Sequence, residues 1–486
     1  MSKLLPLFIA GPLLGAVLIP LIARLNRRLP EWLALLITLC LLGAAGGLYF
    51  RGPAYLTYAV GGHLPPLGIN LVLDGLSHLL LLTVSLVTSL VVIYSMTYLE
   101  QYTGKRWFYA LYLMILTGMN GVLLAGDIFT LFVFLEIAAL ATYTLVAFGV
   151  EKKELEAALR YLMIGTVASI LILFGIGLLY GLTGTLNFAD LSRSLPEGAP
   201  YAKILISVLF LVGFGMKAAL VPFHAWLPDA HTSAPAPVSA TLSGVLIKVL
   251  GVYALIRIFY NVLGLSPVIS GILSFLGVLS ILAGGLLALG QGDLKRLLAY
   301  SSISQVGYII LGVSLGSPLG LLGGLFHLFN HALFKSLLFL DAGAIEYSTG
   351  TRNLKELGGL KEKMPWTYVT TLTASLSISG LPPFNGFWSK LLIIFACIQL
   401  GRLWLAAAAI LGSILTLAYF LKVQKYAFFE KLPDKLVDIR EVPWSMRLPM
   451  VLLALLCLAI GLVFPLMVNV FINPAVAAVT AYLGGR

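Results

Sequence analysis

Apolar runs of about twenty residues recur along this chain from one end to the other, with only short polar links between them. A run of that length crosses the roughly 30 Å hydrocarbon layer of a bilayer as a helix, a structure that satisfies its own backbone hydrogen bonds in lipid. Of the 486 residues 60% are hydrophobic and only 10% charged, and the mean hydropathy is +1.00. A soluble domain is about 45–50% apolar and about 25% charged. The sequence therefore predicts an all-α polytopic membrane protein. Collagen, disorder and coiled coil are excluded, because there is no glycine period, no polar tract and no heptad seam.

A window of about 19 residues places fourteen spans. The first seven run roughly Leu4–Ala23, Trp32–Phe50, His78–Leu99, Trp107–Ala125, Ile128–Phe148, Ala157–Leu182 and Ile204–Phe223. The second seven run roughly Val238–Tyr260, Val268–Leu289, Leu297–Leu315, Gly320–Ala344, Trp366–Leu400, Leu403–Phe428 and Leu448–Val470. The first run is too long for a signal peptide and has no small-residue cleavage site before Arg24, so it is expected to stay as a helix. Twenty lysines and arginines fall in links after odd-numbered spans and seven on the opposite side. With the rich side in the cytoplasm, both termini of this cell-membrane protein lie on the non-cytoplasmic side. The same asymmetry accounts for the formal charge of +11, so no nucleic acid is needed as a partner.

Four lysines escape that tally. Lys217, Lys248, Lys335 and Lys390 each lie well inside an apolar run. A central lysine costs about 2.5–3.5 kcal/mol on insertion scales, and snorkelling to the surface excuses one near a helix end but not all four. A charged, hydrated interior is expected.

Two spans are broken by proline. The seventh runs into Val221-Pro222-Phe223-His224, and the twelfth contains Gly380-Leu381-Pro382-Pro383-Phe384-Asn385-Gly386. Proline removes a backbone donor and frees a carbonyl that lipid cannot satisfy. Broken helices in corresponding positions of two halves point to inverted repeats, and the interval between the breaks holds about five spans. The organisation predicted is three N-terminal helices over 1–106, a first five-helix repeat over 107–262, a second over 263–430, and a C-terminal loop and helix over 431–486. Two unrelated prolyl kinks are the plainer alternative.

Glu136, mid-way through the fifth span, is the one acid clearly at membrane depth, with Asp341 nearer a helix end. A carboxylate in hydrocarbon is protonated or paired, and Lys217 is the partner expected. Such a pair has two protonation arrangements that a nearby charge can tip, which suits a proton relay. A static ion pair fixing helix register is the alternative. His327, His331 and Lys335 fall at i, i+4 and i+8, on one face of the eleventh span. Imidazole changes charge near neutral pH, so the row suits a proton wire. A metal site lacks a third ligand in the sequence nearby, and satisfied core histidines are the plain reading. Lys248 is placed as the bridge from this row to the first half, and Lys390, after the second break, as the end of the path.

His224, Asp229 and His231 lie in a short link, Phe223–Ala236, where they either admit protons or cap helices. Asp293 with Lys295 and Arg296 reads as a solvated helix start. Ser301, Ser302 and Ser304 could order water, though a serine in a membrane helix more often bonds its own backbone. No cofactor is expected. Cys40, Cys397 and Cys457 each sit alone in apolar runs as buried thiols, without the spacing of zinc or iron–sulfur sites. There is no phosphate loop and no dinucleotide fingerprint, and the polar loops Glu346–Pro365 and Phe429–Pro449 are linkers only.

The stretch Lys217-Ala218-Ala219-Leu220-Val221-Pro222-Phe223-His224-Ala225-Trp226-Leu227-Pro228-Asp229-Ala230-His231 resembles the signature of Mrp-type cation/proton antiporter subunits. These are homologous to the proton-pumping membrane subunits of respiratory complex I and of membrane-bound hydrogenases. The continuation Ala234-Pro235-Ala236-Pro237-Val238-Ser239-Ala240 to Leu246-Ile247-Lys248 matches as well. So do Asp293-Leu294-Lys295-Arg296-Leu297-Leu298-Ala299-Tyr300-Ser301-Ser302-Ile303 and the His327/His331/Lys335 row. The resemblance covers nearly the whole chain. It implies fourteen helices, inverted repeats with helices 7 and 12 broken, a functional pair at Glu136 and Lys217, a bridging Lys248 and a terminal charge at Lys390. In relatives that terminal position is a glutamate in one complex I subunit and a lysine in others.

The chain stops just after the fourteenth span, without the lateral helix of the largest relatives. That points to the D-type component of an Mrp antiporter or its hydrogenase-associated equivalent. The function expected is proton translocation, with Na+ as a candidate coupled ion, within a complex of further membrane subunits embedded in lipid. No catalytic redox centre is expected in this chain, although the complex itself can be an oxidoreductase. The alternatives are a proton-pumping subunit of an NADH:quinone oxidoreductase-type complex, a membrane anchor holding haem or quinone, and a scaffold whose charges only fix packing.

Overall fold

Short polar side chains start several of the helices by taking up free backbone N–H groups. Asp74 accepts from Ser77 N, Asp127 from Thr130 N, Ser266 from Ile269 N and Asp293 from Arg296 N. The computed structural model describes residues 1–63, 65, 68–195 and 200–481.

Among them, 13 helices are long and apolar enough to cross a membrane. The first half contains α1 (Ser2–Ile22), α2 (Leu29–Arg51), α3 (Gly75–Gln101), α4 (Lys105–Leu124), α5 (Ile128–Val146), α6 (Lys152–Thr183) and α7 (Pro200–Lys217). After α7 comes the short α8 (Trp226–Ser233). Then follow α9 (Ala236–Val262), α10 (Pro267–Leu289), α11 (Leu294–Ser314) and α12 (Pro318–Thr349). The twelfth expected span is a broken pair, α13 (Pro365–Ser379) and α14 (Asn385–Gln399), each too short to cross alone. The chain ends with α15 (Leu403–Phe429), α16 (Trp444–Leu462) and the apolar α17 (Phe464–Thr480). The fourteen expected spans are all present.

Two breaks share one backbone solution. At the end of α7 the Leu220 N–H bonds to the Gly215 carbonyl at 3.0 Å, and at the end of α13 the Leu381 N–H bonds to Leu376 O at 3.1 Å. The residue before each donor, Ala219 (φ 56°) and Gly380 (φ 83°), is left-handed. This is the helix-closing geometry in which a 6→1 bond satisfies an orphan carbonyl. Glycine takes that conformation freely, whereas buried Ala219 does so at a cost of about 1–2 kcal/mol.

Burial separates the bundle into a centre and a rim. The apolar stretches of α9 and α12 are 100% buried and that of α11 is 94% buried, while α1 and α2 are 33% and 28% buried. A helix hydrophobic all round belongs in the core or against lipid, and here the central helices are the ones carrying Lys248, His327, His331 and Lys335. Helix α9 also contains three π-helical stretches, Leu242–Leu246, Lys248–Tyr253 and Arg257–Val262. Such windings occur mostly at functional sites, and Lys248 opens the second of them.

Several expectations are corrected. His224, Asp229 and His231 do not share a simple link, since α8 forms between Phe223 and Ala236, once Trp226 anchors it by donating to Met216 O at 3.0 Å. Asp341, expected nearer a helix end, lies two turns inside α12, which continues to Thr349, and is 1% exposed. Lys295 is buried rather than solvated, donating to Ala234 O and pairing with Glu346 at 2.8 Å. Cys40 faces outward. A small antiparallel hairpin, β1 (Leu56–Ala59) and β2 (Asn70–Leu73), lies between α2 and α3; its alternation is too short to stand out in so apolar a chain.

A fifth cation also sits within a span. Arg257 of α9 is buried and pairs with Asp74 at 2.6 Å, with Ser77 and Asn261 completing its bonds. Burial pushes the Asp74 carboxyl up, but the Arg257 charge and hydrogen bonds outweigh it and hold Asp74 down at about 2.

Candidate proton path

The first polar cluster lies where α5, α6 and α7 meet. Lys217 Nζ stands 3.2 Å from Glu136 Oε1 and 3.0 Å from Ser169 Oγ, and Ser169 donates to the same Glu136 oxygen at 2.5 Å. Lys217 is the last residue of α7, so the ammonium also sits at the negative end of the helix dipole. The two partners are unequally covered, with 4% of the Lys217 side chain exposed and 27% of Glu136. The lysine thus belongs to the interior and the glutamate reaches the flank of the bundle. Ser169 has no mark in the sequence, where a serine in an apolar run carries no signal of its partner.

Across the α7 break, Gly251 lets α9 touch the backbone, since a Cβ there would come within 2.5 Å of Ala218. Lys248, one turn earlier, is 1% exposed, and its Nζ has no hydrogen-bond partner among the described residues. Ser336, next to Lys335 on α12, donates to Ala240 O of α9 at 3.1 Å, which joins the two halves. Ser243 of α9 and Ser302 of α11 also bond across this seam at 2.7 Å.

In the second half, one face of α12 carries the expected row. Lys335 donates to Leu298 O at 2.7 Å and to the Ser301 hydroxyl. Ser301 and Ser302 do bond their own helix, as expected, but each also holds a partner elsewhere, and Ser304 donates to Ile281 O of α10. The rings of His327 and His331 are 6.3 Å apart. His327 contacts Ser389 Oγ at 2.9 Å and Gln305 Oε1 at 3.2 Å, whereas both nitrogens of His331 lack a partner among the described residues. Beyond the α13–α14 break, Lys390 Nζ lies 4.5 Å from the Tyr308 ring centre, and that ring is 5.5 Å from His327. A cation over an aromatic face is stabilised by roughly 2 kcal/mol when desolvated, so Tyr308 is the partner that a charge-by-charge reading of the sequence misses.

The three residues around α8 separate. Asp229 is tied to Arg160 at 2.8 Å and Arg296 at 3.2 Å near the surface. His224 flanks the break with its ring near Tyr300. Only His231 joins the interior, fully buried, stacked 4.5 Å from Phe339 and within the field of Lys335, Lys248 and Lys295.

Among the described residues no group of three or more His, Cys, Asp or Glu side chains could hold a metal ion. With Ser389 and Gln305 on His327, and no carboxylate beside His331, elemental analysis of the purified complex should find no metal bound by this row. One metal per chain, lost in His331→Ala, would overturn the proton-wire reading.

Comparison with known proteins places this arrangement. Residues 125–416 match the family described as NADH:quinone oxidoreductase/Mrp antiporter, TM. Residues 64–109 match the NADH-Ubiquinone oxidoreductase (complex I), chain 5 N-terminus. The chain is 38% identical to the N-type component of NADH-quinone oxidoreductase from Desulforudis audaxviator, over 95% of this chain and 96% of the relative. It is 36% identical to the D-type component of the Na(+)/H(+) antiporter from Alkalihalophilus pseudofirmus, over 76% and 75% of the two chains. A chain of the Mrp complex from Dietzia sp. DQ12-45-1b superposes with a TM-score of 0.90 at 30% identity, covering 99% of both. The chain therefore belongs to the NADH:quinone oxidoreductase/Mrp antiporter family of membrane proteins.

Proposed function

We propose that this chain is a proton-translocating, antiporter-like subunit of a multisubunit membrane complex, with Na+ as a candidate coupled ion. The observation that carries the reading is the row itself. Lys217, Lys248, Lys335 and Lys390 are buried with His327 and His331 between them, and Glu136 is the one carboxylate paired with any of these lysines among the described residues. Each central charge costs about 2.5–3.5 kcal/mol to insert. A packing role needs no such series, because one ion pair fixes register.

In this reading the Glu136–Lys217 pair sets the first step. While the pair is closed, the ammonium is compensated. A proton or cation arriving at Glu136 from the exposed flank removes that compensation, and Lys217 then repels the charge on Lys248. Lys248 acts in turn on Lys335, and the histidines and Tyr308 link Lys335 to Lys390. His231 is the proton-access residue, while Asp229 clamps α8 between two arginines. Two five-helix units, 107–262 and 263–430, are consistent with the matching closures of α7 and α13. The lysine- and arginine-rich links are taken as cytoplasmic.

The similarity to the D-type antiporter component favours an Mrp-type or hydrogenase-associated assembly. A second reading, a proton-pumping subunit of a quinone oxidoreductase-type complex, is favoured by the identity to the N-type component. The assembled complex in sealed vesicles should dissipate an imposed pH gradient, faster with Na+ on the opposite side if the exchange is with Na+. Vesicles as tight with the complex as without it would reject translocation.

A further inference from the structure

Asp341 has no counter-ion and no role in the lysine–histidine row. It is 1% exposed, and no lysine or arginine pairs with it among the described residues. Thr370 Oγ1 donates to its Oδ1 at 2.8 Å, while the neighbouring Thr371 donates to its own helix at Thr367 O. The other oxygen, Oδ2, is buried without a partner. The groups facing it are as uncharged as they are polar. Tyr94 of α3 donates to Leu340 O, Cys457 of α16 is buried, and Gln424 of α15 binds Ser375 of α13. Oε1 of Gln424 also lacks a donor. Glu441, against the start of α13, is occupied by the Trp366 and Thr367 N–H groups and by Thr367 Oγ1 at 2.7 Å.

These groups form a line. From Glu441, in the basic link before α16, it reaches the Thr367 hydroxyl, and Thr370, which lies against the Thr367 carbonyl, then reaches Asp341. Ser377, two turns beyond Thr370 on the same face of α13, carries the line to the break. Ser377 then donates to Asn385 at 2.5 Å, and Asn385 pairs with Asn330 of α12 at 3.0 Å. Asn330 lies between His327 and His331 in the sequence of the row.

A bare carboxylate with no cation beside it is not tolerated in such a place. It takes up a proton, which turns one carboxylate oxygen into a hydroxyl donor. We propose that Asp341 is a second proton-binding site, protonated at rest, that connects the basic face of the second half with the α12 row along the hydroxyls of α13. In each passage the acid gives its proton to a hydroxyl or water oxygen toward Asn385, that oxygen passes one of its own protons onward, and Asp341 is reprotonated from the Glu441 side. This rests on the translocation reading for its purpose, though not for the protonation state.

The test uses the assembled complex. Infrared spectra of wild type should contain the carbonyl band of a protonated carboxylic acid that is missing in Asp341→Asn and that shifts promptly in D2O. Proton flux in vesicles should fall about tenfold or more in Asp341→Asn, with partial return in Asp341→Glu. Absence of the band in wild type, a band that resists deuterium exchange for hours, or Asp341→Asn flux within about twofold of wild type would each overturn the site. If wild-type vesicles carry no flux at all, the central-row reading fails, and the band with its exchange still decides Asp341.

Discussion

Glu136→Gln should leave the complex assembled while cutting proton flux by about a hundredfold or more, on the scale of removing a proton-transfer group. The substitution keeps the side chain's shape and its contact with Ser169, so the α5–α6–α7 packing is retained. It removes the charge that compensates Lys217, whose other partners are the Ser169 hydroxyl and the carbonyl end of α7. The loss should appear as a modest drop in thermal stability, about 1–3 kcal/mol for a charged hydrogen bond. Decay of an imposed pH gradient in vesicles of matched protein content is the measurement. Wild-type flux in Glu136→Gln would remove the pair from the path.

Lys390→Ala should abolish flux in the same assay with the opposite effect on stability. Among the described residues Lys390 has no acid beside it; it meets the face of Tyr308 and lines a cavity of about 240 Å³ with Leu381, Phe387 and Ile410. Removing an uncompensated buried ammonium relieves its desolvation, and the lost cation–π contact offsets only part of that gain. The variant should therefore melt at or slightly above the wild-type temperature while transporting nothing. Lys390→Glu should keep some flux, if a titratable group at this position matters more than its sign. A Lys390→Ala complex as active as wild type would take Lys390 out of the path. The contrast between the two variants, one destabilised and one not, distinguishes loss of a relay from loss of fold.

Much of the candidate row is legible in the residues because hydrocarbon makes charge conspicuous. Lys217, Lys248, Lys335, Lys390 and Glu136 stand out from apolar runs whatever they touch, and His327, His331 and Lys335 share a face by helical period alone. Neutral partners leave no such mark. Ser169, Gln305, Ser389 and Tyr308 look like ordinary span residues until packing brings them to a charge.

Arg257 is legible as a cation, yet its position in the last turn of the eighth span, Val238–Tyr260, lets it be counted with the loop that follows. Only the contact with Asp74 shows it to be interior. Asp341 is misplaced for a related reason. Hydropathy falls near Glu346, but α12 runs on to Thr349, so the acid ends up two turns inside the helix, where it is buried.

What the sequence determined by itself is the set of spans, their two breaks and the existence of buried charge, since each follows from the cost of placing one residue type in lipid. What only the tertiary structure decided is pairing. Which serine holds Glu136, whether His231 or Asp229 faces the interior, and which acid has no counter-ion depend on distances between helices far apart in the chain, and no local pattern encodes those distances.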